Sequence, residues 1–209
     1  MVRRIIVFLL VFAWSSAQIQ GKFLLLMGPS GAGKSTIINH LKAIDGRFTY
    51  VTPFTTRELR PGEQDKKHIS LDELNVLHDS GKLLAINHIY GIYYATPKYI
   101  IDEALAQQRF PVLDWPIDKM NIMEQYYDKQ IYRVYVEPDD IQELERRLSN
   151  DARDKDGKRF QAGKLEIDNL LSGKYDTMID YRVVNKAGHA LQVAEEIYQH
   201  FLQSLEKEQ

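Results

Sequence analysis

The stretch GPSGAGKST, Gly28 to Thr36, decides the fold of this chain. It contains G-x-x-x-x-G-K-S, a pattern typical of a phosphate-binding loop that joins a strand to a helix. The apolar run FLLLM, Phe23 to Met27, precedes it and predicts a buried parallel strand. Residues 34–44 follow it and predict a helix. Because strand, loop and helix come in the required order, we interpret the stretch as a nucleotide-binding loop and not as a chance match.

The residues of this loop suit the phosphates of ATP together with Mg²⁺. Glycines let backbone N–H groups turn toward phosphate oxygens, and the N-terminus of the following helix adds positive potential. We expect Lys34 to reach the β- and γ-phosphates and Ser35 to bind Mg²⁺. The predicted ATP-binding residues of the loop are Gly28, Pro29, Ser30, Gly31, Ala32, Gly33, Lys34, Ser35 and Thr36.

Further apolar runs alternate with helical segments along the chain. The predicted strands are PVLD at 111–114, IYRVYV at 131–136 and YRVVN at 181–185. The predicted helices begin at Thr96, as cap with Pro97 in the first position, and span Asp139–Asn150 and Ala187–Leu202. This alternation predicts an α/β fold of the P-loop NTPase type, with a parallel sheet core covered on both faces.

Residues 53–96 interrupt the alternation and predict a small mixed insertion. They combine the turn Arg60–Gly62 with short β-like pieces and one helix. Ser70 to Glu73, S-L-D-E, predicts a capping box at the start of that helix. The stretch Asn150–Phe160 is polar and highly charged, which indicates an exposed segment. We therefore expect one domain over residues 22–204, an apolar leader over 1–21 and a short tail over 205–209.

Length and composition limit the classes of function. A chain of 209 residues is long enough for one well-buried domain and short for two. The net charge of −2 argues against nucleic acid or an anionic membrane as the main partner. The absence of cysteine excludes disulfides and thiolate metal sites, and the six histidines show no ligand-like spacing. We expect small-molecule nucleotides as partners, and a monomer or a dimer.

The N-terminal leader resembles a secretory signal peptide. Arg3 and Arg4 precede ten apolar residues, Ile5 to Trp14, and small residues follow. Ten residues are too few for a transmembrane helix, which needs about twenty. Because a loop built for ATP and Mg²⁺ requires a compartment that holds both, we favour a cytoplasmic domain over an exported one and expect no stable membrane partner.

Other users of phosphate-binding loops fit less well. A GTPase requires N-K-x-D, and the nearest match, Asn185 to Gly188, lacks the aspartate. Leu171 to Gly173 matches only a fragment of a transporter signature. A small-molecule kinase remains. Arg57 and Arg60, three residues apart beside a tight turn, support it because two planar guanidinium groups can clamp one phosphate.

The order of GPSGAGKST, TTRELRPGE, GIYYATP and VVN resembles the guanylate kinase family over residues 22–204. The resemblance implies an acceptor-binding insertion at 53–96, a lid with arginines at 150–162, and transfer of the γ-phosphoryl group from ATP to GMP. It implies that Arg57, Arg60 and Tyr94 hold the acceptor phosphate. It also implies that Thr96 and Asp114 lie near the acceptor base or ribose.

The same resemblance implies how the donor side works. Lys34 and the lid residues Arg147, Arg153 and Arg159 would meet the ATP phosphates, and Asn185 would touch the adenine. Together with Arg57, these cations form the predicted catalytic set. No side chain stands out as a general base, and an acceptor phosphate needs none because its second pKa is about 6.

The chain departs from the family at the positions that read guanine. Pro53 stands where the family places a serine, and Ala85 stands where it places a glutamate. Asn87, two residues beyond Ala85 and therefore on the same strand face, is a candidate substitute. Two alternatives stay open. One is a kinase for a sugar phosphate, because the chain also resembles ribose 1,5-bisphosphate phosphokinase, which lacks the same glutamate. The other is a non-catalytic module that binds a partner.

Overall fold

Five parallel strands form the central sheet. The structure is a computed structural model, and it describes residues 22–89, 91–149 and 157–206. The strands are β1 (Phe23–Met27), β2 (Phe48–Tyr50), β7 (Phe110–Asp114), β8 (Ile131–Pro138) and β9 (Tyr181–Asn185), in the order β2-β7-β1-β8-β9. The predicted leader, residues 1–21, and residues 150–156 of the predicted lid lie outside the described residues.

Helices cover both faces of this sheet, as predicted. They are α1 (Lys34–Ile44), α3 (Lys98–Ala106), α4 (Met120–Tyr127), α5 (Ile141–Ser149), α6 (Lys158–Leu171) and α7 (Ala190–Glu206). Side chains of β1 alternate between the two faces of the sheet, and helices cover both faces, so the whole strand is buried. Phe23, Leu25 and Met27 pack with α3, α4 and α6, whereas Leu24 and Leu26 pack with α1 and α7.

A second, smaller sheet forms the predicted insertion. Its strands are β3 (Phe54–Thr55), β4 (Lys67–His68), β5 (Leu83–Ile89) and β6 (Ile92–Pro97), in the order β4-β3-β6-β5. Helix α2 (Leu71–Asp79) packs on one face around Phe54 and Leu74. The predicted capping box is confirmed, because the Ser70 Oγ accepts from the Glu73 N–H at 3.2 Å and a Glu73 carboxylate oxygen accepts from the Ser70 N–H at 2.9 Å.

Three helix starts differ from the prediction. Thr96 does not cap α3, because it pairs with Ala85 in the sheet; Pro97 is the N-cap and the helix begins at Lys98. Helix α5 begins at Ile141 and not at Asp139, since the Asp140 carboxylate accepts from the Glu143 N–H at 2.6 Å. Helix α7 begins at Ala190, because the chain turns at Gly188 with φ of 79°.

Within the described ranges, every helix is too short or too polar to cross a membrane.

Candidate active site

The phosphate-binding loop lies at the carboxyl edge of the central sheet. All five strands are parallel, so the ends of β1, β7, β8 and β9 meet at this edge, where α/β folds bind ligands. Two glycines make the tight path of the loop possible. Gly28 has φ of 127° and a Cβ there would collide with the Val136 carbonyl; Gly33 has φ of 93° and a Cβ there would collide with the Asn185 amide.

The N-terminus of α1 is prepared for an anion. Gly33 precedes the helix without a side-chain cap, and its first turn contains no acidic residue. The first backbone N–H groups of a helix lack partners within the helix, and the helix dipole favours negative charge there. Ser35 and Thr36 are exposed at this end. The geometry therefore suits a phosphate group, as predicted from the sequence.

Lys34 is buried inside the loop. Its side chain is 8% exposed, and its Nζ donates to the Gly28 carbonyl at 2.6 Å and to the Pro29 carbonyl at 3.0 Å. Asp114, at the end of β7, places a carboxylate oxygen 3.6 Å from the same Nζ. The ammonium group is thus held between the loop and β7, where it can compensate phosphate charge.

Two acidic residues that the sequence does not single out are linked to this site: the charge of Glu166 interacts with that of Lys34, and the charge of Asp118 with that of Glu166. Glu166 on α6 accepts from the Tyr135 hydroxyl at 2.9 Å. Burial raises the pKa of Glu166; the Tyr135 hydrogen bond and the charge of Lys34 oppose this, and the charges of Asp118 and Asp114 add to it. Nothing in the local sequence marks Glu166 or Asp118, because each reaches the site through the packing of its own element.

The residues around the loop fit a magnesium ion. A serine hydroxyl and carboxylates are hard oxygen ligands, which Mg²⁺ prefers. Among the described residues, no group of three or more acidic or histidine side chains forms a metal cage. Mg²⁺ generally binds through one or two protein ligands and completes its shell with phosphates and water. Ser35 and Asp114 are the residues that would hold it.

The two helices that flank the predicted lid pack directly on the loop. Leu144 and Leu148 of α5 lie against Gly31, and Gly163 of α6 lies against Pro29. These contacts place α5 and α6 beside the backbone of the loop.

Two of the three predicted lid arginines reach the loop. Arg147 donates to the carbonyls of Gly31 at 3.2 Å and Asn185 at 3.4 Å, and Glu143 pairs with its Nε at 2.7 Å. Arg159 donates to the Ser30 hydroxyl. The third, Arg153, lies outside the described residues.

Asn185 lies behind the loop. Its amide nitrogen donates to the Ala32 carbonyl at 2.8 Å, and the residue is 4% exposed. Its Oδ1 is buried and has no hydrogen-bond partner in the described part of the chain. Asn185 therefore supports the backbone of the loop at Ala32, and the adenine contact stays a prediction.

One face of the insertion sheet is directed toward the core. The cross-strand pairs Ala85 with Thr96 and Asn87 with Tyr94 place these four side chains on the same face. Ala85 packs against the core cluster that contains Trp115. The predicted acceptor residues Asn87, Tyr94 and Thr96 are therefore brought together opposite β7, on the side away from α2.

Arg57 is held in place by Glu63. Its two terminal nitrogens donate to the two Glu63 carboxylate oxygens at 2.8 and 2.5 Å. The Glu63 hydrogen bonds raise the pKa of Arg57, burial opposes this, and the Tyr94 hydroxyl adds to the increase. The Nε of Arg57 is buried and has no acceptor among the described residues. That N–H remains available for an anionic ligand.

The second predicted arginine is less constrained. The Arg60 backbone N–H donates to Glu63 at 3.0 Å, while its side chain is exposed. Glu63 also lines a cleft of about 550 Å³ with Ser35 and Tyr50. The turn that carries Arg57 and Arg60 and the loop that carries Lys34 therefore border one cleft.

Comparisons with known proteins agree with this geometry. The family model for guanylate kinase matches residues 20–198. A guanylate kinase from Jannaschia sp. (strain CCS1) is 32% identical over 174 residues, which cover 79% of this chain and 77% of that protein. A guanylate kinase from Carboxydothermus hydrogenoformans is 33% identical over 172 residues, which cover 79% and 81%.

Two solved structures share the fold. The crystal structure of guanylate kinase from Anaplasma phagocytophilum matches with a TM-score of 0.64 and 20% identity, over 90% of this chain and 86% of that chain. Shikimate kinase from Acinetobacter baumannii in complex with shikimate matches with a TM-score of 0.50 and 17% identity, over 90% and 96%. Both matches confirm the predicted P-loop architecture.

Proposed function

The chain belongs to the guanylate kinase family, and we propose from this membership that it transfers the γ-phosphoryl group of ATP to a nucleoside monophosphate, with GMP as acceptor. The observation that carries the proposal is that two segments bearing cations border one cleft, which Ser35 and Glu63 line. Lys34 lies in a phosphate-binding loop beside Ser35, and Arg57 is held by Glu63 on the insertion. An enzyme that transfers a phosphoryl group between two phosphorylated substrates requires one cationic centre for the phosphates of each substrate.

The reaction needs positioning and charge compensation more than proton transfer. The bond between the γ-phosphorus and its bridging oxygen breaks, a bond to an acceptor phosphate oxygen forms, and ADP leaves. The acceptor oxygen is largely ionised at pH 7, since its second pKa is about 6. Catalysis therefore depends on holding the two substrates in line and on neutralising the charge that is transferred.

Each cation has a distinct part in this proposal. Lys34 compensates charge on the β- and γ-phosphates. Arg147 and Arg159 approach the same phosphates from α5 and α6, and the support for this is that both already touch the loop. Arg57, with Arg60 and Tyr94, holds the acceptor phosphate.

A magnesium ion held by Ser35 and Asp114 would add charge compensation at the phosphates. The ion pair of Asp114 with Lys34 keeps the two groups together at the end of β7. Asp114 also orients Lys34 toward the loop in the absence of substrate.

An acceptor panel tests the proposal. We expect purified protein with ATP and Mg²⁺ to release ADP with GMP and dGMP, and at a much lower rate with AMP or ribose 1,5-bisphosphate. The matched relatives are guanylate kinases, and no comparison favours the sugar phosphate. Activity with ribose 1,5-bisphosphate alone would contradict the proposal and support the sugar-phosphate kinase alternative. Binding of nucleotide without any turnover would favour the non-catalytic module.

Glu63 provides a test of how Arg57 is positioned. We expect Glu63→Gln to raise the acceptor KM about tenfold, because one charge-assisted hydrogen bond that orients Arg57 is weakened. The KM for ATP stays unchanged. The control is Glu58→Gln on the same turn, whose side chain is 92% exposed and is expected to have no effect. Equal acceptor KM values in both variants would contradict the positioning role of Glu63.

The same variant has an expected pH signature. The Arg57 hydrogen bonds lower the pKa of Glu63 from 4.5 to about 2. A lowered pKa in the folded state contributes stability above pH 4.5, and this contribution is lost as the pH falls toward about 2. The Tm difference between wild type and Glu63→Gln is therefore expected to be largest above pH 4.5 and to shrink below it, in thermal unfolding measured by circular dichroism.

A further inference from the structure

Lys119 brings a cation to the core-facing side of β5. It ends the 3₁₀ turn Ile117–Lys119 that follows β7, and its Nζ donates to the Asn87 Oδ1 on β5. The Trp115 indole N–H donates to the Lys119 carbonyl at 3.1 Å, which fixes this turn. Both Lys119 and Asn87 are half-buried. A lysine ammonium carries three donors, so two remain when one is given to Asn87.

The positions expected to read guanine offer no side-chain acceptor for its hydrogens. Ala85 packs against the core cluster, and a methyl group accepts no hydrogen bond. Pro53 has no side-chain acceptor, and its carbonyl accepts from the Lys67 N–H at 3.0 Å. The face of β5 and β6 that carries Ala85, Asn87, Tyr94 and Thr96 presents no carboxylate among these four residues. The 2-amino group of guanine therefore meets no carboxylate on this face, where Asn87, Tyr94 and Thr96 offer only neutral oxygens.

Lys119 and Asn87 together present a hydrogen-bond donor, the Lys119 Nζ, beside an acceptor, the Asn87 Oδ1. The Asn87 Oδ1 has two lone pairs, so it can accept from Lys119 and from one further N–H. A 6-oxopurine presents the matching pattern, with the O6 acceptor next to the N1–H donor. A 6-aminopurine presents the opposite pattern, with an N6 donor next to an N1 acceptor.

We propose that Lys119, held by Asn87, is a specificity-determining residue that donates to the 6-oxo group of the acceptor base. The inference rests on the proposed function. Because no carboxylate reads the 2-amino group, the chain accepts GMP and IMP alike and discriminates both from AMP. Specificity in this protein is then for 6-oxopurine monophosphates as a class.

The expected discrimination follows from the strength of the contacts. GMP and IMP are expected to differ in kcat/KM by less than about fivefold, which is less than a neutral hydrogen bond supplies. Removing the charged donor of Lys119 is expected to lower kcat/KM for both about 10- to 100-fold. The loss appears mainly in the acceptor KM, and activity with AMP does not fall.

The experiment measures steady-state kinetics of the full chain with GMP, IMP, AMP and ribose 1,5-bisphosphate. The variants are Lys119→Met, Lys119→Gln and Lys119→Arg, with Lys129→Met as a matched control on an exposed turn outside the cleft. Arginine keeps the charge and is expected to restore part of the activity with GMP and IMP. Glutamine keeps a hydrogen-bond donor but has no charge, so Lys119→Gln can be compared with wild type if the methionine variant fails to fold.

Several outcomes would overturn the inference. A wild type that prefers GMP to IMP about 100-fold would show that the 2-amino group is read. An equal loss for GMP, IMP and AMP in Lys119→Met would indicate a structural role. A loss confined to ribose 1,5-bisphosphate would mean that Lys119 binds a second phosphate. The proposed function fails separately, through a wild type that releases no ADP with any nucleoside monophosphate.

Discussion

Lys34→Met is expected to lower kcat at least about 10³-fold, which is the range seen when a charge-stabilising group is removed from a phosphoryl-transfer site. Methionine fills similar space but carries no charge. The structure gives the reason for the size of the effect, since Lys34 is the buried cation inside the loop and lies 3.6 Å from Asp114. Without it, phosphate charge meets the Asp114 carboxylate with no ammonium between them.

The experiment must separate catalysis from folding. The Lys34 ammonium donates to the Gly28 and Pro29 carbonyls, so methionine also costs about 1–3 kcal/mol of stability if these groups stay buried without a donor. Thermal unfolding with and without ATP measures this cost, and turnover is compared below the transition of both proteins. Lys129→Met serves as control. Turnover within tenfold of wild type would contradict the role given to Lys34.

Arg57→Lys is expected to lower kcat/KM for the acceptor about 10²- to 10³-fold, because a bidentate guanidinium is replaced by a point charge. Arg57 uses both terminal nitrogens on Glu63 and leaves its buried Nε for a ligand. Lysine retains the charge but cannot satisfy both carboxylate oxygens and an anion in the same plane. The loss is expected in the acceptor KM and in kcat, with the KM for ATP unchanged.

A second arginine pair provides the control. The Arg47 guanidinium donates to both oxygens of Asp45, at 3.1 Å to Oδ1 and 2.7 Å to Oδ2, on the turn before β2. Arg47→Lys makes the same chemical change at a pair outside the residues that line the cleft, so it is expected to leave both KM values within twofold of wild type. An Arg57→Lys enzyme that resembles Arg47→Lys would remove Arg57 from the acceptor site.

Local sequence determined the parts of this protein whose interacting residues lie within a few positions of one another along the chain. The loop Gly28–Thr36, the helix Lys34–Ile44 and the strands at Phe23 and Tyr181 lie where the sequence predicts them. The capping box at Ser70 is a contact over three residues and was equally predictable. The effects of glycine torsions, of apolar runs and of helix caps are limited to neighbouring residues. They can therefore be predicted from the pattern of the sequence.

The start of α3 shows where local patterns stop being sufficient. Thr96 and Pro97 have the sequence of a helix cap, but β5 pairs with both residues and extends β6 to Pro97. Hydrogen bonds from a strand across the sheet outweigh a cap that contributes about 1 kcal/mol. No local signal in the stretch from Thr96 onward indicates this competition.

Only the tertiary structure decided which distant groups meet in the site. Lys119 contacts Asn87 across 32 residues, Glu166 contacts Tyr135 across 31, and Asn185 reaches Ala32 across 153. Each contact depends on the strand order β2-β7-β1-β8-β9 and on how the insertion and α6 pack against it. A sequence specifies the chemistry of a side chain by itself, whereas its partner depends on the packing of elements that are far apart along the chain.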